Sequence, residues 1–387
     1  MQVYCLSTLA ELAPYAEQWD RLSDGAPFRS WAWASTWWKH YGPADYSQPQ
    51  CDRLAVVCVF DESDTLVGVA PFYLHHCVSQ GRVLRLLGDG EVCSDYLGLL
   101  CRPDMQDQVA ESVARWLVEN EGAGDSLSGS TDPLPWDLLE LTGIDFQDQP
   151  IRRLLWHLGE RGKTIHHRRG PNCWRVDLPA TWEEYLSTMS KNHRKRLRRS
   201  YKKTVDSGRA VLRTVECFED LQKGIEILVD LHQRRRQAMG EPGCFASKPF
   251  NDFHCEVMPK LLSNGQLQLH WLELDGKPAA VEYGLTGGGV AYAYQSGIDP
   301  DASEENPGTL LTLLTLRRAI EQGFRAVDFM RGDETYKLHW KAAPRAQIDT
   351  HVVANRTASR LRHGLWMAGS NVKQWMKGGS QWVTENV

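Results

Sequence analysis

The chain has 387 residues, 42% hydrophobic and 24% charged, with a formal net charge of −5. That length exceeds what one ordinary core serves, so two domains are expected. The composition excludes a low-complexity chain, and the longest apolar runs, such as Leu54–Phe60, fall far short of the ~18–20 residues of a membrane span.

The charge is unevenly placed. Residues 1–150 hold 8 Lys+Arg and 23 Asp+Glu, whereas residues 151–387 hold 36 and 26. Two units with different partners explain such a split, and so do two halves that attract each other. Ten cysteines are scattered without a C-x-x-C pair. This argues against a zinc ribbon or redox motif and fits buried thiols in a reducing compartment. Met1–Leu6 shows no basic stretch before an apolar core, so no secretory leader is expected and the expected location is cytoplasmic.

In chain order, Leu9–Leu22 has helical spacing with Pro14 near its start, and the aromatics of Phe28–Trp38 recur as in a buried helix. Leu54–Phe60 and Leu66–Leu74 flank Asp61–Thr65 and predict a hairpin. Val83–Leu87 and Trp136–Leu141 are further strands, Asp104–Glu119 and Gln149–Gly159 helices, and 122–135 a Gly/Ser/Asp/Pro loop. His166–Pro171 reads as a connector. Thr181 and Glu184 form a capping box for a helix expected to run through Arg199 to about Val205. Strand Ala210–Val215, helices Phe218–Ala238 and Phe250–Ser263, and strand Leu267–Leu274 follow. The Asp275-Gly276 turn then leads into strands Ala279–Leu285 and Val290–Gln295. Pro307-Gly308 opens a helix that Gly323 stops. Ala326–Met330 is a strand, Tyr336–Lys341 a short helix and Ile348–Val353 the last strand. The hairpins at 54–74 and 267–285 look alike, and each precedes a strand–helix–strand unit. The expected fold class is therefore α/β (α+β): two related halves, each a mixed, largely antiparallel sheet flanked by helices. The expected bounds are 1–160 and 175–355, with a tail at 356–387.

The element order over 175–355 resembles the GNAT superfamily of N-acyltransferases. Ser190–Arg199, Asn306–Leu311 and Ala326–Lys337 look like landmarks of one bacterial branch. It is the acetyltransferase-like family associated with cellulose and exopolysaccharide biosynthesis, related to the Fem peptidyltransferases with their two GNAT-like halves. Phe28–Trp38 and Ser94-Asp95-Tyr96 resemble that family's first half. The resemblance implies acyl-CoA (acetyl-CoA) as co-substrate, no metal, and direct attack of an amine or hydroxyl on the thioester.

A helix start offers free N–H groups to a pyrophosphate, so Pro307, Gly308 and Thr309 are candidates for holding the donor. Gln295, Ser296 and Gly297 are candidates for holding its carbonyl. Asp299, Asp301, Glu304 and Glu305, in the loop before that helix, would oppose an anion if they faced it. Glu282, a carboxylate inside an apolar strand, is a candidate general base, and it also suits a solvent-facing position. Tyr336 is placed like the tyrosine that in many GNAT enzymes protonates the departing thiolate. Asp333 and Glu334 are further candidate catalytic carboxylates, and Asp328, Arg331 and Lys337 candidate substrate contacts; an ion-pair network that fixes the turn explains the same residues. Lys191–Lys203 holds eight basic residues in thirteen and no acid. Lys191, Arg194 and Arg198 are its candidate contacts to an anionic or glycan-type acceptor, unless the run is a solvated face. No metal-ligand, nucleophile-elbow or P-loop motif occurs.

Two other functions fit the same layout: aminoacyl transfer from charged tRNA, as in the Fem relatives, and an inactive assembly protein of polysaccharide biosynthesis. The tail carries Trp366, Trp375 and Trp382 with Arg356, Arg360, Arg362, Lys373 and Lys377. It suits either docking on its own protein or peripheral contact with the inner face of a membrane.

Overall fold

The computed structural model describes residues 1–44, 51–121 and 135–377. The loop expected at 122–135 lies, apart from Pro135, outside them, as do Trp382 and the side chains of Lys373, Trp375 and Lys377.

Alternating apolar residues and tight turns build two meanders. In the first, β1 (Gln2–Leu6), β2 (Arg53–Phe60), β3 (Leu66–Cys77) and β4 (Gly81–Leu86) are antiparallel. The short β5 (Leu100–Cys101) pairs with β3. The helix Gln106–Glu119 crosses over, and β6 (Leu138–Asp145) returns parallel to β4. β7 (Thr164–Arg169) follows the helix Gln149–Glu160. The second sheet takes β8 (Cys173–Asp177) and then repeats the plan. β9 (Ala210–Thr214), β10 (Leu267–Leu274), β11 (Lys277–Gly287) and β12 (Val290–Ile298) are antiparallel. The helix Pro307–Glu321 crosses over, β13 (Ala326–Arg331) returns parallel to β12, and β14 (Ala343–Arg345) pairs with β8. β15 (Gln347–Val353) goes back to the first sheet.

The sheet orders are β1-β2-β3-β4-β6-β15-β7, with β5 beside β3, and β9-β10-β11-β12-β13-β8-β14. Each half is thus a meander, a crossover helix and a parallel return strand, in a mixed sheet flanked by helices.

Three elements differ from the sequence reading. The 166–171 connector is largely β7, an edge strand. β15, expected within the second unit, lies between β6 and β7 of the first sheet, where ladders on both sides satisfy its backbone. The single helix expected from Thr181 is two, Trp182–Ser187 and Lys191–Thr204. Ser190 restarts it, its side chain accepting the His193 N–H as a new N-cap.

One core joins the halves. Trp33, from the helix Trp31–Tyr41, packs edge-on against Phe253 and Tyr294 of the second half, with ring centroids 4.9 and 5.7 Å apart. Among the described residues no helix is long and apolar enough to cross a membrane.

Candidate active site

β12 and β13 pair only at their beginnings, Val290–Tyr292 against Ala326–Asp328. Two irregularities then part them. The register of β12 against β11 slips at Tyr294, between the pairs Gly284↔Ala293 and Tyr283↔Gln295. β13 kinks at Met330, whose φ is 58°. A slip of one residue bends a strand, and a non-glycine residue at positive φ persists only where its surroundings hold it. Here Asp328 Oδ1 accepts the Met330 N–H at 2.8 Å, and Lys337 Nζ donates to the Met330 carbonyl at 3.1 Å. A cleft of about 550 Å³ opens where the strands part.

Glu282 and Tyr336 both line this cleft. Glu282 stands opposite Ser296 across the β11–β12 ladder, half-buried, toward the crossover helix. Burial pushes its carboxyl up to about 7, and the Thr315 hydroxyl only partly offsets this. Tyr336 is 46% exposed, and its ring sits edge-on to Phe329. Burial, then the Glu334 and Glu282 carboxylates, push its phenol up to about 12, so it holds a proton at neutral pH.

Gln295, Ser296 and Gly297 of β12 and Gly308 and Thr309 of the crossover helix line the same cleft; Pro307 is buried behind them. That helix begins without a side-chain cap. The acids before it are largely answered. Arg234 binds Asp299 and Asp301 at 2.6 and 3.1 Å, and Glu305 binds Lys203 and Arg209 at 3.2 and 3.4 Å. The opposition to an anion expected from this loop is correspondingly weakened.

Arg331 lines the cleft but also ties the halves together. Its Nε donates to Asp95 Oδ1 at 2.5 Å, its backbone N–H to Asp95 Oδ2 at 3.1 Å, and Nη2 to the Ser94 carbonyl at 3.2 Å. Asp95 and Cys93 bring the first half into the cleft wall.

Several residues expected in the site have other work. Lys337 is buried, and its ammonium donates to the carbonyls of Met330, Arg331 and Gly332 at 3.1, 3.0 and 2.8 Å and meets Glu334 at 2.8 Å. It pins the turn, with no proton left for a phosphate. Asp328 is buried under the Tyr96 hydroxyl, and burial pushes its carboxyl up to about 6. Asp333 lies outside the cleft, accepting from Asn172 and Trp174 at 3.1 and 3.0 Å. Arg194 reaches the Leu186 and Ser187 carbonyls and Arg198 pairs with Glu183 at 2.5 Å; neither they nor Lys191 line the cleft. From that helix His193 and Arg196 do. Their spacing of three, one turn of a helix, was the available signal. Arg235, Arg236, Cys93, Asp95 and His339 also line it without having been singled out for it.

Residues 191–338 match the acetyltransferase (GNAT) domain family. No curated protein matches the chain by sequence. Among solved structures, FemX is 11% identical with a TM-score of 0.61, over 93% of this chain and 99% of its own. A conserved protein of unknown function from Bacteroides thetaiotaomicron is 11% identical with a TM-score of 0.56, over 91% and 100%. The C-terminal domain of a candidate lysylphosphatidylglycerol synthetase from Agrobacterium fabrum is 12% identical with a TM-score of 0.53, over 96% and 99%. At such identities the likeness is one of fold. The chain has a GNAT acyltransferase-like fold, built twice.

Proposed function

We propose that this chain is an acyltransferase that moves an acyl group, acetyl in the simplest case, from acyl-CoA to an amine by direct attack on the thioester. The observation that carries this reading is the convergence of Glu282 and Tyr336 on one cleft, opened where β12 leaves β13. The donor's phosphates would meet the uncapped helix start at Gly308 and Thr309, with Arg196 beside them. Its acyl arm would lie along Gln295–Gly297, where β12 has lost β13 as a ladder partner. Backbone groups there can meet the charge that develops on the carbonyl oxygen.

The chemistry follows from two proton positions. An amine arrives protonated, and Glu282, ionised above about pH 7, takes that proton. The nitrogen lone pair attacks the carbonyl carbon, the C–S bond breaks, the departing thiolate takes the Tyr336 proton, and the second proton that the nitrogen sheds on becoming an amide restores the phenol. Amino groups of a glycan are the acceptor class that the resemblance to the exopolysaccharide-associated branch favours.

The test is thiol release from acetyl-CoA across a panel of amines. Release that requires an amine and falls about 100-fold in Glu282→Gln and Tyr336→Phe supports the reading. Amine-independent release, or wild-type rates in both variants, counts against it.

A specific observation favours a second donor. Lys191, Lys195, Arg199 and Lys202 are exposed beside the cleft, with no ion-pair partner among the described residues. Such a surface suits the phosphates of a charged tRNA, whose binding would weaken steeply with salt. Retention of tRNA at low salt, with no response to acetyl-CoA, would select it.

A further inference from the structure

We propose that Arg235 anchors an anionic group, a carboxylate or a phosphate, on the acceptor amine; this rests on the acyltransferase reading above. The helix Phe218–Ala238 nears its end in three consecutive arginines. Arg234 pairs with Asp299, Asp301 and Asp230 at 2.6, 3.1 and 3.4 Å, and Arg236 with Glu241 at 2.7 Å. Arg235, between them, turns into the cleft. It is half-buried there, its Nη1 donates to Ser296 Oγ at 3.4 Å, and no carboxylate among the described residues pairs with it. The fold thus neutralises both neighbours and leaves the central guanidinium beside the reacting groups without a counterion. Its charge is felt at Tyr336, where it opposes the upward push on the phenol. A planar guanidinium in that position matches a carboxylate or phosphate fork to fork.

The geometry separates the helix that carries this arginine from the donor's phosphate end. A side chain at Gly297 would meet the His232 nitrogen at 2.5 Å, which puts Arg235's helix against one face of β12. A side chain at Gly308 would meet Ile298 Cδ1 at 2.6 Å, so the crossover helix starts against the opposite face, the one that Ala280 and its cross-strand partner Ile298 share. Arg196 comes from the helix whose Leu197 packs in that second layer. The helix that carries Arg235 therefore packs on the face of β12 away from the donor's helix start, and the guanidinium reaches past the strand to Ser296 Oγ, the cross-strand neighbour of Glu282, which sets it beside the candidate base.

The experiment uses the full chain, acetyl-CoA, and matched amines with and without the anion: glucosamine 6-phosphate against glucosamine, and alanine against alaninamide. The expected result is a lower KM for the charged member of at least one pair. In Arg235→Gln that KM rises about tenfold or more and the preference disappears, while Arg235→Lys recovers part of it. No preference in the wild type overturns the inference. So does a rise confined to the KM for acetyl-CoA, which would move Arg235 to the donor. Thermal shifts with the same amines need no turnover and separate the two claims. A shift that depends on the anion and vanishes in Arg235→Gln, without thiol release, keeps Arg235 as the anion anchor and removes the acyltransferase reading. Thiol release without pair preference does the reverse.

Discussion

Glu282 sits where a strand's alternation puts a carboxyl group next to a cleft yet half out of water. With its carboxyl at about 7, it is the group whose ionisation would gate the reaction near neutrality. The ascending limb of the pH–rate profile should have its midpoint near pH 7, and Glu282→Gln should flatten it while lowering kcat about 100-fold. The same shift has a stability signature. A carboxyl raised in the folded state stabilises fully below its ordinary value of 4.5 and loses that contribution as pH rises through about 7. Urea melts at pH 5 and pH 8 should therefore show the wild type losing stability relative to Glu282→Gln; parallel curves would contradict the burial argument. At this scale the sequence was partly legible. A lone carboxylate in an apolar strand and a tyrosine after a strand-end turn are visible as residue types in a pattern. Lys337 and Asp328 look no different from Arg331 in the sequence. Only the folded turn shows that Lys337 caps three carbonyls and Asp328 takes the Tyr96 hydroxyl.

The cleft depends on how closely one helix approaches β12. Gly297 lets the helix Phe218–Ala238 lie against the strand, since an added Cβ would fall 2.5 Å from the His232 nitrogen and 2.6 Å from the Leu231 carbonyl carbon. Both are backbone atoms, which cannot rotate away. Gly297→Ala should cost about 1–3 kcal/mol, read as a lower denaturation midpoint. It should also impair acceptor use, because the displaced helix carries Arg235. An unchanged midpoint would mean that the helix yields freely. Tight turns were the legible part of the elements: Asp275 and Gly276 both take positive φ, 48° and 79°, as a two-residue hairpin of that composition requires. The break at Ser190 was not legible. A serine within a basic helical run serves as an interior residue or as a new cap, and tertiary packing decides which.

The halves are coupled at the scale of the whole molecule. β15 leaves the second half to fill the space between β6 and β7, and Asp95, 1% exposed in its side chain, answers Arg331 across the junction. Arg345 meets Asp145 in the same sense at 2.7 Å. Part of the opposite charge of the two halves is thus used between them. Removing one partner of a buried pair strands the other, so Asp95→Ala should destabilise by about 3 kcal/mol in chemical denaturation. Truncation after Ala346 removes β15 and leaves β6 and β7 without the strand between them. That protein should lose its cooperative transition and bind a hydrophobic dye. The duplication was legible because two hairpins and two crossover helices recur along the chain. The destination of β15 was not, because its pairing is set by partners about 180–215 residues away.

On the proposed reading, the cleft between β12 and β13 takes an acyl-CoA. Calorimetric titration of the full chain with acetyl-CoA tests this, run in parallel on Thr312→Trp; Thr312 lines the cleft in the first turns of the helix Pro307–Glu321, and a tryptophan there would fill it. One site per chain is expected, with a dissociation constant between about 1 μM and 1 mM, lost in Thr312→Trp. No binding to the wild type at about 1 mM acetyl-CoA, or equal binding to both proteins, would contradict it.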